Sequence, residues 1–178
     1  PCNNQTSATE RSAAEANGSY WFTGVLADWQ LINMLLILIG RSTDTQTTFG
    51  NGHYTGGSGA SSLIKSGTMD KRGLFWGTNG SGQGVKVFGM ENYWGNVWKR
   101  IAGWVNVSGT QKIKMTYGTQ DGSTGTGYNE TGSGYISIGL APSGTSGGYI
   151  SGSSLTQYGL FPQVASGSSS TYYCDGLW

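Results

Sequence analysis

The chain has 178 residues, enough for one domain with a core of its own and a short arm. Ten basic and nine acidic side chains leave a net charge of +1, without the basic stripe that a nucleic-acid-binding surface requires. Seven Trp, ten Tyr and five Phe argue against disorder, so the 32 glycines and the many Ser, Thr, Asn and Gln read as long loops on a folded domain.

Residues 1–19 are polar and read as an arm or linker, ahead of an aromatic start at Tyr20-Trp21-Phe22. Asp28 suits a helix N-cap, because its carboxylate can accept the free amide hydrogens of a first turn. Trp29, Ile32, Leu36 and Ile39 recur at helical spacing, and Leu35 and Leu38 widen the apolar face. Gly40 stops the pattern as a C-terminal cap, with Arg41 at the negative end of the dipole. The spacing predicts a helix over 28–39, apolar nearly all round and therefore buried. Its apolar run, Leu31 to Ile39, is far shorter than the roughly 20 residues that cross a bilayer, so no membrane insertion is expected. From Arg41 to Gly84 the chain reads as loop, interrupted by Ser62-Leu63-Ile64 and Leu74-Phe75-Trp76, with His53 as an exposed loop residue.

Residues 85–117 carry the clearest sheet signal. Val85 and Val87 alternate with Lys86. Val105 and Val107 are expected to face Ile113, Met115 and Tyr117 across a turn at Ser108-Gly109-Thr110, with Lys112 and Lys114 on the wet side. Tyr135-Ile136-Ser137-Ile138 is a further strand. Tyr149-Ile150 and Leu160-Phe161 are weaker candidates, and Pro162 confines the latter to a strand end or edge. One helix, several short antiparallel strands and long loops give an α+β class; an immunoglobulin-like sandwich is disfavoured by the helix.

Catalytic groupings are missing from the pattern. The acids Asp44, Asp70, Glu91, Asp121 and Glu130 are isolated, and His53 has no nucleophile motif beside it. Cys2 and Cys174 lie near the two ends; a bridge would close a loop worth roughly 4–5 kcal/mol in the chain-entropy model, and unlinked thiols are the favoured alternative. No catalytic residue, metal site or cofactor is expected, although loop carbonyls leave calcium open. Asn17-Gly18-Ser19 and Asn129-Glu130-Thr131 are sequons of the kind this composition produces by chance.

The string Phe88-Gly89-Met90-Glu91-Asn92-Tyr93-Trp94-Gly95-Asn96-Val97-Trp98 is the most specific in the chain. Gly95 permits a tight turn, Asn96 can bond neighbouring backbone, and Trp98 offers a core anchor. It resembles the Asn-x-x-Gly-Asn-Val-Trp-Glu-Trp segment of the C-type-lectin-like fold of formylglycine-generating enzymes, with Asn92, Gly95, Asn96 and Trp98 as the structural motif. Lys99-Arg100 stands where those enzymes have Glu-Trp, and no close cysteine pair is present, so oxidase activity is the least favoured reading.

Residues 38–46, 88–104 and the tail Ser169–Trp178 are similar to variable proteins of gut phages and prophages that are targeted by diversity-generating retroelements. That resemblance covers residues 20–178. It implies a lectin-like display domain that binds a host-cell surface protein or glycan, alongside other virion or surface proteins, on a phage tail or bacterial surface. It also implies that the chain stops near the start of a variable region, with Tyr172, Tyr173, Asp175 and Trp178 at the edge of the ligand-binding face. A homotrimer would suit a fibre tip, although no coiled coil is present. The competing reading is a purely structural virion decoration or tail-fibre domain.

Overall fold

The computed structural model describes residues 5–18, 21–53, 64–78, 83–95, 99–115, 127–140, 148–166 and 176–177. Within them the chain is α+β: three helices and four small antiparallel sheets. Its spine is a helix that serves two core clusters at once. Helix α1 spans Ser7–Glu15, α2 spans Leu26–Gly40 and α3 spans Thr45–Phe49. Leu26, Gln30, Asn33 and Leu36 recur along one stripe of α2 and are its buried residues. Leu26 and Trp29 pack with Ile113, Phe161 and Trp104, whereas Ile32 and Leu36 pack with Val85, Val87 and Trp94.

The expectation of a wholly buried helix over 28–39 is corrected at three points. First, α2 begins two residues earlier and Asp28 caps nothing; it sits in the first turn. Backbone from a distant segment does the capping instead: Leu26 N–H donates to Ala102 O at 2.9 Å, and Ala102 N–H donates to Gly24 O at 2.8 Å. Second, the left-handed residue after the helix is Arg41 (φ +51°), not Gly40. Gly40 is needed for close approach: a Cβ there would lie 2.8 Å from Thr48 Cγ2 and 3.1 Å from the Phe49 ring. Third, the stripe opposite the core, with Leu31, Leu35, Leu38 and Ile39, faces outward.

Strands β1 (Lys86–Val87) and β2 (Met90–Glu91) form a hairpin. Strands β3 (Trp104–Val107), β4 (Thr110–Ile113) and β5 (Ile136–Leu140) form a three-stranded antiparallel sheet. The β3–β4 turn holds two residues, Ser108 (φ +51°) and Gly109 (φ +79°), and Asn106 Oδ1 accepts the Gly109 N–H at 3.0 Å. The sequence reading assumed three turn residues, and that one-residue difference changes every pair. Trp104 faces Ile113, while Val105 faces Lys112 and Val107 faces Thr110, so the two valines do not look across at Ile113 and Met115. They are half-buried under Gly132 of the loop before β5.

Strands β6 (Gly148–Tyr149) and β9 (Gly176–Leu177) pair with each other, as do β7 (Gly152–Thr156) and β8 (Gly159–Val164). Strand β7 is absent from the sequence reading, because Gly-Ser-Ser-Leu-Thr lacks an apolar alternation. Pro162 lies in a two-stranded ladder, where a missing N–H leaves no inner strand unpaired. The outer carbonyls of β8 are satisfied by buried side-chain amides: Gln30 Nε2 donates to Leu160 O and Gln111 Nε2 to Pro162 O, each at 2.9 Å. Two glutamines, one from α2 and one from β4, thus tie the second cluster to the β7–β8 hairpin.

The arm before residue 20 carries α1, which buries no residue. Two ion pairs link it to the domain: Arg11 to Glu130 at 2.8 Å, and Glu10 to Arg100 at 2.9 Å. Among the described residues no helix is long and apolar enough to cross a membrane.

Candidate functional site

Residues 64–78 have little apolar content to fold them, yet the turn at 66–72 is held from both sides by the β1–β2 hairpin. Lys86 and Glu91 stand directly opposite each other in that hairpin. The Glu91 carboxylate accepts the N–H groups of Gly67 at 2.6 Å and Met69 at 2.8 Å. Lys86 Nζ donates to Met69 O at 2.9 Å and to Arg72 O at 3.4 Å. A cation thus takes the turn's carbonyls and an anion its amides, each a charge-assisted bond. The expected alternation, with Lys86 outward between Val85 and Val87, is corrected: all three are buried, and the loop carbonyls make burial of the ammonium tolerable.

The same turn leads into Leu74-Phe75-Trp76, laid alongside β1. Trp76 and Lys86 exchange backbone hydrogen bonds at 2.9 and 2.7 Å, and Gly89 N–H donates to Leu74 O at 2.9 Å. Phe75 packs between Phe49, 5.6 Å away, and Phe88, 4.9 Å away in an edge-on arrangement. The Arg72 guanidinium lies 4.7 Å over the Trp76 ring. Leu74 is 67% exposed, and Phe75 and Met90 also reach solvent on either side of the Phe88–Gly89 turn. The result is a group of exposed apolar side chains, Leu74, Phe75 and Met90, carried on backbone next to the turn that charged side chains pin.

The segment Asn92–Gly95 follows β2. Asn92 adopts a left-handed backbone (φ +55°), which asparagine tolerates, and its N–H donates to Val85 O at 2.7 Å. Trp94 is buried in the first cluster, its indole N–H donating to Gly50 O at 3.0 Å. Gly95 (φ +70°) passes so close to the 52–53 segment that a Cβ would lie 2.8 Å from His53 N. Lys99 Nζ donates to the carbonyls of Asn92 and Tyr93 and sits 5.5 Å over the Tyr93 ring. His53 is half-buried with Nδ1 shielded from solvent, which corrects its reading as an exposed loop residue.

A second ordered loop, 127–135, closes over the valine face of β3. Asn129 organises it: its Oδ1 accepts from Thr131 N, Thr131 Oγ1 and Ser133 N, and its Nδ2 donates to Ser133 O at 3.0 Å. The amide nitrogens of both sequon asparagines are engaged in this way, since Asn17 Nδ2 donates to Ala13 O. Burial pushes the Tyr135 hydroxyl above its usual range, against the lowering effect of the Asn129 N–H that it accepts. Burial acts in the same upward sense on Glu130, but the hydrogen bond and charge of Arg11 outweigh it and hold that carboxyl low.

No protein-family model, curated protein or solved structure matches the chain. The candidate site therefore rests on geometry.

Of the motif residues singled out in the sequence, Asn92 and Gly95 lie in the turn after β2, whereas Asn96 and Trp98 lie outside the described residues. The core anchor there is Trp94. Tyr172, Tyr173, Asp175 and Trp178 also lie outside the described residues, as do Cys2 and Cys174. Sequence reasoning missed the exposed group of Leu74, Phe75 and Met90 because its members come from separate segments. The signal was the apolar triplet Leu74-Phe75-Trp76 in an otherwise polar stretch. Among the described residues no three His, Cys, Asp or Glu side chains are grouped to hold a metal ion.

Proposed function

We propose that this chain is a non-catalytic ligand- or receptor-binding display domain, carried on a phage tail or a bacterial surface, with a C-type-lectin-like arrangement of its α+β elements. The observation that carries the reading is the exposure of the apolar side chains Leu74, Phe75 and Met90, together with the Arg72–Trp76 pair, around the turn that Lys86 and Glu91 pin. Rigid aromatic and arginine anchors lose little conformational entropy on binding, and they dominate contact energies at recognition surfaces. Catalysis would need a nucleophile or acid beside a positioned partner; Glu91, Lys86 and Lys99 spend their hydrogen bonds on backbone. Asn92 and Gly95 shape the turn after β2, in keeping with the motif resemblance. On this reading the ligand is a host-cell protein or glycan, and Tyr172, Tyr173, Asp175 and Trp178 extend the same role into the tail.

The test is binding of the fluorescently labelled chain to a panel of intact gut bacterial cells and to a printed glycan array. Saturable binding that falls about ten-fold or more in Leu74→Asp, with an unchanged thermal midpoint, is the expected result. Absence of saturable binding to every cell type and glycan would replace the proposal with a purely structural virion domain.

A further inference from the structure

Helix α2 is apolar on two sides, and only one of them meets the core. Leu31, Met34, Leu35 and Leu38 follow the i, i+3, i+4, i+7 spacing of a single stripe, and Ile39 widens it. Leu31 is 60% exposed, Leu38 69% and Ile39 52%. Together the five side chains present on the order of 400–500 Å², which is as large as the largest apolar patch of a typical monomer. No charged residue interrupts the helix between Asp28 at its first turn and Arg41 just past its end. Both of those charges are exposed, and the midpoint between them falls between Met34 and Leu35, at the centre of the patch.

We infer that this face is the contact between two copies of the chain, paired antiparallel through α2. The charges set both the occupant and the direction. A second copy laid antiparallel and centred on the patch brings each Asp28 level with the other copy's Arg41, and it opposes the two helix dipoles favourably. A parallel pair, or a parallel trimer about the same face, would set Asp28 against Asp28 and align the dipoles. A lipid surface fits less well, because helices that lie in a membrane interface are flanked by rows of Lys and Arg, whereas this one ends in one acid and one base. Two such patches cover about 900 Å², near the lower limit of specific interfaces, so the pair forms and dissociates reversibly. On a display domain such pairing would present two binding faces at once, but the contact itself does not depend on the binding proposal.

Sedimentation velocity on the full chain between about 1 and 500 µM tests this, with a reversible monomer–dimer equilibrium in the micromolar range as the expected result. Leu38→Lys, which replaces an exposed side chain, weakens association about ten-fold or more while far-UV circular dichroism and the thermal midpoint stay the same. Leu31→Glu is the second variant should the first perturb folding. Asp28→Arg and Arg41→Asp each weaken the dimer, and the double exchange restores it. Four results would each overturn the inference: a monomer at every concentration, a trimer mass, a dimer indifferent to both leucine variants, or a monomer that instead binds phosphatidylserine vesicles through Leu38.

Discussion

Replacing Glu91 by Gln isolates the contribution of charge to the pinned turn. The side chain keeps its volume, but one of the two acceptors facing Gly67 and Met69 becomes an NH₂ group pointed at an N–H. Hydrogen bonds to a charged group are worth roughly 1.5–3 kcal/mol each, and the Gly67 bond is exposed and therefore weaker than the Met69 bond. One bond lost and the other reduced to neutral strength gives a destabilisation of about 2 kcal/mol. For a chain of this length that lowers the unfolding midpoint by about 4–8 °C. Urea unfolding followed by tryptophan fluorescence measures the energy, and amide exchange at Gly67 and Met69 locates it. Lys86→Met acts on the same turn, so the double variant should lose less than the two single losses added, by about 0.5 kcal/mol or more. Glu91→Gln within about 0.5 kcal/mol of the parent, with both amides still protected, would refute the account of the clamp.

Three further outcomes follow from the same geometry. Gly95→Ala combines a left-handed backbone with a Cβ 2.8 Å from His53 N and should cost about 2–4 kcal/mol, whereas Gly134→Ala, with φ +74° but open space around it, should cost only about 1 kcal/mol; calorimetry on both separates sterics from backbone strain. Trp94→Phe leaves Gly50 O buried without its indole donor and should lose about 1–3 kcal/mol in urea titration, unlike a substitution at exposed Trp21. Because Glu130 titrates below the usual carboxylate range in the folded chain, its contribution to holding α1 is complete above that range and is lost as pH falls through the lowered value. The protection factors of the α1 amides, taken relative to intrinsic exchange at each pH, should therefore fall in acid, and Arg11→Ala should raise the Glu130 midpoint in a carboxyl NMR titration; an unmoved midpoint would remove Arg11 as the cause.

Much of the fold was legible in the chain itself. A 3.6-residue apolar period marks α2, and the β-branched residues at 85–87, 105–107 and 136–138 mark β1, β3 and β5, although not the faces those residues take. The short α3 escaped notice although Asp44 caps it, accepting Thr47 N–H at 2.9 Å, since five residues are too few to show a period. The turn after β2 could be read in part, Gly95 from its turn chemistry and Asn92 from the motif resemblance alone. The exposed apolar group could not, because the 74–76 segment and Met90 are brought to the same hairpin only when that segment lies beside β1.

What the sequence alone determined is therefore the α+β class, the central helix and the glycine-bearing turn after β2, each a property of neighbouring residues. Tertiary structure decided which stripe of α2 is buried: Leu26 and Leu36 go inward together with the polar Gln30 and Asn33, while the wholly apolar stripe of Leu31, Met34, Leu35 and Leu38 faces out. It also decided the β3–β4 register, where a two-residue turn rather than a three-residue one exchanges the faces. Lys86 shows the reason most directly. A lysine between valines reads as a solvent-facing residue until a turn some fifteen residues away supplies the carbonyls that make its burial affordable, and no local pattern encodes a partner at that distance.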